Sequence, residues 1–243
     1  MINYNKAKKL LTKSKIKIKD EKIFIKDSLN RVTAKNIYSA VNYPAANNAA
    51  FDGFAINFLD TKRLNGKKLM RFKILKTIAA GDNPRIKKIK KYSAIQVMTG
   101  AIIPKVFNTI IPIEKIIFYP NKINPKFILI KNKVRKNNYI RFLGSDYKKN
   151  EKIISMGEVI NSSHILAFKS LGIDRILVKK KPVILFISTG NEISNKNKIP
   201  KWKVRNSNSH YINSLSSRSF FKYLDGGILR DKDEDLLKKK INK

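Results

Sequence analysis

Pro182-Val183-Ile184-Leu185-Phe186-Ile187 is an unbroken apolar run, and Ser188-Thr189-Gly190-Asn191-Glu192 follows it at once. A short segment that is apolar on both faces is a buried strand of a parallel sheet, because a strand with one wet face alternates. In open α/β sheets, ligands bind beyond the carboxyl ends of such strands. The Ser188–Glu192 loop is therefore where chemistry is expected. The pattern continues with a helix from about Ser207 to Phe221, a strand at Gly227-Ile228-Leu229, then Asp231 and a helix from Glu234 to Lys240. That order is the βαβα start of a doubly wound fold. Such a domain usually needs roughly 100–150 residues, more than residues 182–243 supply. The expectation is an incomplete domain with an apolar edge, loosely folded unless another chain covers it.

Upstream, residues 5–14 read as a helix, and Lys15 to Ile25 alternates Ile with charge, as one or two half-buried strands do. Asp27-Ser28 is placed to cap a short helix through Leu29–Ala34. Between residues 44 and 140, short β-type runs recur at Phe54–Ile56, Arg71–Ile78, Ala94–Met98, Thr109–Ile113, Ile116–Tyr119 and Lys126–Ile130. Turn signals separate them, and this spacing predicts a small barrel or sandwich. Glu151 to Ile160 reads as a hairpin around Met156-Gly157. Ser162 or Ser163 then caps a helix from His164 to Leu171, closed by Gly172 and followed by a strand at Ile176-Leu177-Val178.

The formal net charge is +36, which raises the question of a polyanionic partner. The basic residues are mostly Lys, dispersed along the chain among abundant Ile and Asn, as solvated positions under AT-rich base bias would be. A nucleic-acid binder more often shows a clustered, Arg-rich or aromatic-interleaved stripe, so no specific nucleic-acid partner is expected. The chain has no Cys, which excludes disulfides, thiolate metal sites and thiol nucleophiles. Its two histidines, His164 and His210, make no zinc site without carboxylates. No stretch of about 18 uncharged apolar residues is present, and the first residues lack a signal-peptide apolar core. The expected location is the cytoplasm, with no membrane partner.

Three loops carry chemical side chains. Asp52-Gly53, inside Ala49–Ala55, is either a hairpin turn or a carboxylate held between apolar residues. Thr99-Gly100, after Gln96-Val97-Met98, is either a strand-ending turn or a hydroxyl with free backbone N–H groups for an oxyanion. In the third loop, Ser188, Thr189 and Gly190 suit a phosphate and Glu192 suits a divalent cation. None is a P-loop, since no Gly-Lys-Ser/Thr follows.

The order of the segments is more specific than any one of them. Leu29–Ala34, Asp52-Gly53-Phe54-Ala55, Ala79-Ala80-Gly81, Met98-Thr99-Gly100-Ala101 through Pro104, Arg141 with Gly144 and Asp146, Ser170–Ile173, Ser188–Glu192 and Gly227-Ile228-Leu229-Arg230-Asp231 occur in series. This series resembles the MoeA family of molybdopterin molybdenumtransferases, related to the E domain of gephyrin and its plant counterpart, over nearly the whole chain. The resemblance implies a multidomain α+β and α/β architecture. Residues 1–43 plus 141–180 would form a discontinuous linker and dimerisation domain, 44–140 an inserted small β domain, and 181–243 part of a doubly wound molybdopterin-binding domain.

It also implies molybdenum cofactor biosynthesis by an elongated homodimer: molybdate enters adenylylated molybdopterin, an anionic pterin nucleotide, with Mg²⁺ assisting and AMP leaving. Asp52, Thr99, Asp146, Glu192 and Asp231 match polar positions of the family's cleft. Glu192 and Asp231 would orient Mg²⁺ or molybdate-linked water, while Ser188, Thr189, Gly190 and Gly100 would contact substrate. Thr99 and Asp52 would come from the β domain of the partner subunit. The family commonly has Asp where this chain has Asn47, Asn191 and Asn206, and Ser145 replaces a Glu. Asn keeps the shape but loses the charge, so it holds hard cations more weakly. The alternatives are a non-catalytic remnant, or half of a split protein whose missing C-terminal part a separate chain supplies. A basic nucleic-acid module ranks below both.

Overall fold

The computed structural model describes residues 2–14, 16–216 and 221–241. In chain order it contains helix α1 (Tyr4–Lys13) and strands β1 (Asp20–Phe24), β2 (Gly53–Ile56), β3 (Asn65–Ile78), β4 (Ser93–Val97), β5 (Thr109–Pro112), β6 (Ile117–Tyr119) and β7 (Phe127–Asn132). Helix α2 (Ser162–Ser170), strands β8 (Arg175–Lys179) and β9 (Val183–Thr189), helix α3 (Ser207–Ser216), strand β10 (Lys222–Leu229) and helix α4 (Glu234–Ile241) follow. Shorter strands and 3-10 turns connect them. The fold is mixed α/β. Contacts divide it into two units: the residues up to Ile37 together with those from Lys152 onward, and Tyr38–Glu151.

The first unit is built on an antiparallel pair, β1 with β8, in register from Asp20 opposite Lys179 to Phe24 opposite Arg175. Ile25, Ile154, Ile160, Phe168, Ile176 and Val178 fill its core. The alternating stretch before residue 25 gives one strand, which starts at Asp20; Ile16 is exposed, and Lys15 lies outside the described residues. No helix forms over Leu29–Ala34, and Glu151–Ile160 is not a hairpin. Instead Lys179 donates its N–H to Val32 O, Ala34 to Leu177 O, Ile160 to Arg31 O and Thr33 to Glu158 O. Each segment finds its backbone partners across the fold rather than within itself, and the β-branched Val32 and Thr33 favour that extended form. Helix α2 is capped by Asn161, one residue before the expected serines. Its side chain accepts from His164 N, and the His164 ring accepts from Asn161 N.

Further along this unit, β9 and β10 pair in parallel, as the apolar run predicts, with Val183 opposite Lys222 and Thr189 opposite Leu229. β10 starts five residues before Gly227. Residues 217–220 of the expected helix lie outside the described residues, and Phe221 is not helical. Helix α3 packs on the pair, with Ser209 Oγ 2.7 Å from Tyr223 Oη. Val183 and Ile184 stay exposed, while Leu185, Phe186 and Ile187 are half-buried.

The second unit carries one six-stranded sheet in the order β5-β2-β4-β3-β7-β6. Only the β3–β4 pair is parallel. Its edge strands β5 and β6 do not bond to each other, so the sheet is not a closed barrel. It is curled, with Ile111 of β5 and Phe118 of β6 sharing one core and the Phe118 ring 5.8 Å from that of Phe54. Both faces are covered. Ala55, Ile95, Val97 and Ile110 pack on one side, and Phe54, Ile56, Ala94 and Ile111 on the other. The period-2 alternation of strands does this sorting. β2 lies between two neighbours so closely that a Cβ on Gly53 would stand 2.1 Å from Ile111 O. Gly53→Ala is therefore expected to destabilise the protein by about 1–3 kcal/mol through overpacking against a backbone that has no room to give. Denaturant unfolding of the two proteins measures it; equal midpoints would remove the claim.

Candidate functional site

Asp52 and Thr99 are brought together by the β2–β4 pairing, because Asp52 immediately precedes β2 and Thr99 follows the end of β4. Thr99 donates both its backbone N–H (2.7 Å) and its hydroxyl (2.8 Å) to Asp52 Oδ1. These two bonds, the backbone one first, hold the Asp52 carboxyl below the usual carboxylate range. The carboxylate lies at the surface. The neighbouring amides are used internally: Gly100 N–H donates to Ala49 O at 2.8 Å and Ala101 N–H to Met98 O at 2.9 Å. What this segment offers a ligand is the Asp52 carboxylate with the Thr99 oxygen beside it, rather than a row of free N–H groups.

Asp146 sits in the same unit, in a turn tied to Tyr43 O by its own N–H at 3.0 Å. Arg141 pairs with its carboxylate, and Ser145 Oγ donates to Oδ1 at 3.0 Å. The Arg141 guanidinium is the main cause of a lowered Asp146 pKa. Asn47 accepts Leu143 N–H on its side-chain oxygen at 2.9 Å, so the amide at this position ties two loops together.

The loop after β9 belongs to the first unit. Ser188 is buried and donates to Asn206 Oδ1 at 2.8 Å, which makes its hydroxyl a structural tie. Thr189 is exposed. Gly190 is buried with φ at 140°, and a Cβ there would stand 2.6 Å from both Glu192 carboxylate oxygens. Only glycine leaves that space to the carboxylate. Asp231 follows β10, the parallel partner of β9. Its Oδ2 accepts from Asn191 Nδ2 at 2.6 Å, so Asn191 is the residue that meets Asp231 while Glu192 folds back over Gly190. Asn206 passes from the loop to a cavity of about 250 Å³, lined also by Ser194, Asn195, Lys196, Arg205 and His210. Its cationic lining suits an anionic ligand. A larger cavity of about 480 Å³ opens at the start of β4, the opposite end of that strand from Thr99.

The donor set of the loop does not fit a preformed Mg²⁺ site. Mg²⁺ demands near-octahedral oxygen ligands at about 2.0–2.1 Å. Among the described residues no three His, Cys, Asp or Glu side chains gather. One Asp231 oxygen is bonded by an amide, and the carbonyl oxygens of Gly190, Asn191 and Ile193 face the Arg230 guanidinium. Sequence reasoning missed Arg230, Lys203, Lys196 and Arg205. The available signal was position: Arg230 directly follows a strand of the same sheet, one residue before Asp231.

A family model described as MoeA N-terminal region (domain I and II) matches residues 2–172. Among curated proteins, the molybdopterin molybdenumtransferase of Staphylococcus aureus (strain Mu50) is 28% identical over 215 residues, 88% of this chain and 49% of the relative. That of Staphylococcus epidermidis (strain RP62A) is 28% identical over 218 residues, 89% of this chain and 51% of the relative. The chain thus spans about half the length of the curated relatives it matches. Two crystal structures of the molybdopterin biosynthesis MoeA protein of Pyrococcus horikoshii superpose with TM-scores of 0.85 and 0.84. They are 26% and 28% identical, and the match covers 99% and 100% of this chain and 61% and 64% of theirs. The family model stops before β9, so the likeness of the Ser188–Glu192 loop rests on the structures and longer alignments.

Thr99→Val removes the hydroxyl donor and keeps the backbone N–H, the larger cause of the Asp52 shift. The Asp52 pKa is expected to rise part of the way toward the ordinary value of about 3.9. A pKa lowered by folding adds stability that is present above the unfolded value and is lost as pH falls through the folded one. The pair is thus a source of acid sensitivity, reduced in the variant. Carboxyl ¹³C titration by NMR checks it, and an unshifted midpoint would show that the hydroxyl bond does not form.

Proposed function

The chain belongs to the MoeA family, and from that membership we propose that it acts in molybdenum cofactor biosynthesis as a molybdopterin molybdenumtransferase. Molybdate enters adenylylated molybdopterin and AMP leaves. The observation that carries this reading is the cation-lined cavity at the end of the β9–β10 pair, joined to Ser188 through Asn206. A multiply anionic pterin nucleotide is attracted by Lys196 and Arg205, and the strand-end placement is where doubly wound sheets bind ligands. Glu192 and Asp231, at the ends of the two parallel strands, are the carboxylates available to hold or accept a proton from the molybdate-linked oxygens. Asp52 and Thr99 form a second carboxylate–hydroxyl pair, preorganised by two hydrogen bonds. Asp146, neutralised by Arg141, supports its turn. The reading carries with it a homodimer and a cytoplasmic location.

The donor geometry assigns no step to Mg²⁺. When bound, that ion would supply charge neutralisation for the substrate's phosphates.

Incubating the protein with adenylylated molybdopterin and molybdate is expected to release AMP. Glu192→Gln and Asp52→Asn should each slow release by about 10²–10⁴-fold, the range for loss of a positioned acid or base. Equal zero rates in the parent and both variants would sink the catalytic reading.

A further inference from the structure

We propose that Arg230, assisted by Lys203, is the resident cation of the strand-end loop. It organises residues 190–193 where a divalent metal would be expected, and the loop keeps its form without one. The proposal rests on the reading of this loop as part of the site.

Arg230 Nη1 lies 2.9 Å from Gly190 O, 3.0 Å from Asn191 O and 2.9 Å from Ile193 O. Lys203 Nζ adds a bond to Asn191 O at 2.5 Å, and Val204 N–H bonds Glu192 O at 3.0 Å. Four successive carbonyls are therefore all satisfied by donors, and two of those donors carry full positive charge. Converging carbonyl dipoles create a negative focus that must be met by a cation or by hydrogen bonds. A guanidinium is always protonated and offers several donors in a fixed plane, so it meets that focus at any physiological pH. Arg230 is itself half-buried directly after β10, and its N–H donates to Asp233 Oδ2 at 2.7 Å, which fixes where its side chain departs.

The acidic groups point the same way. Asp231 is met by the amide of Asn191, a neutral donor that needs no ion between the two side chains. A carboxylate at position 191 would face Asp231 as a like charge and would require a cation to bridge them. Glu192 lies over Gly190, away from that contact. Asn at 191 and Arg at 230 thus belong to one arrangement: the amide removes the need for a bridging metal, and the guanidinium takes up the carbonyls.

Amide hydrogen exchange on the full chain tests this without reference to activity. The N–H groups of Val204 and Asn206, bonded to Glu192 O and Ser194 O, report loop order. Their protection is expected to be the same in EDTA and in millimolar MgCl₂. Arg230→Met should speed their exchange by about tenfold or more while Ile176 and Val178 in β8 stay protected, since local openings are independent of the core. MgCl₂ should not rescue that variant, and Arg230→Lys should restore part of the protection. Asn191→Asp should make the loop respond to Mg²⁺, loosened in EDTA and retightened by the ion. Parent protection that rises about tenfold on adding Mg²⁺, or an Arg230→Met variant with unchanged Val204 and Asn206, overturns the proposal. If Arg230→Met unfolds the core as well, the Lys variant and the Asn191→Asp response to Mg²⁺ decide it. Absent AMP release together with the expected exchange pattern would reject the enzymatic reading and leave the resident cation standing.

Discussion

The antiparallel pairing of Asp20–Phe24 with Arg175–Lys179 joins stretches of chain separated by the whole of the second unit. Closing so long a connection is entropically unfavourable, although the penalty grows only slowly with length. The return comes from apolar burial: Ile25, Ile176 and Val178 pack with Phe168 of α2 beside the pair. Residues 31–34 then lie against β8 and residues 158–160 by backbone bonds, reinforced by Arg31 Nη2 to Lys179 O at 2.8 Å and by the buried Thr33 hydroxyl to Ser155 O at 2.6 Å. β9 follows three residues after β8, so the register of this pair also sets where the strand-end loop begins.

The two candidate constellations use opposite electrostatic means. Beside Thr99, a carboxylate is stabilised by neutral donors and stays at the surface, with its charge available. After β9, the backbone oxygens are turned onto Arg230 and Lys203, and the nearby cavity is cationic. The first arrangement keeps the carboxylate ionised and suits a cationic or hydrogen-bond-donating edge of a ligand. The second suits an anion approaching a loop whose shape does not depend on that anion.

The strands were legible where side-chain patterning and burial agree. The β2 run Phe54-Ala55-Ile56 and the α2 helix stand at their expected places because their apolar residues meet a core. The β9 strand forms as expected but is not buried: Val183 and Ile184 are exposed and Leu185, Phe186 and Ile187 half-buried, since one parallel neighbour and α3 cover only part of it. The two misread segments have one cause. Leu29–Ala34 and Glu151–Ile160 have acceptable local patterns for a helix and a hairpin, but better backbone partners exist far away in sequence. The cap of α2 differs for a local reason: Asn161 reaches His164 N–H three residues on, and the His164 ring accepts Asn161 N–H in return, a reciprocal pair that puts the cap one residue before the serines. At the site, Asp52, Thr99, Glu192 and Asp231 were visible as polar residues at strand ends. Which of them touch was not: Asp52 meets Thr99, yet Asp231 meets Asn191.

From residue order alone come the parallel β9–β10 pair, the chemistry-bearing loop after it, and the family, since apolar runs and motif order are local properties of the chain. The curled, unclosed sheet, the bond from Ser188 to Asn206 and the guanidinium among three carbonyls come from packing. They are set by distances between residues far apart in sequence, and no local pattern encodes those distances. The loop that Pro182–Ile187 leads into is therefore a site that the sequence locates and whose charge the fold inverts: Glu192 marks it as acidic, and Arg230 with Lys203 makes its interior cationic.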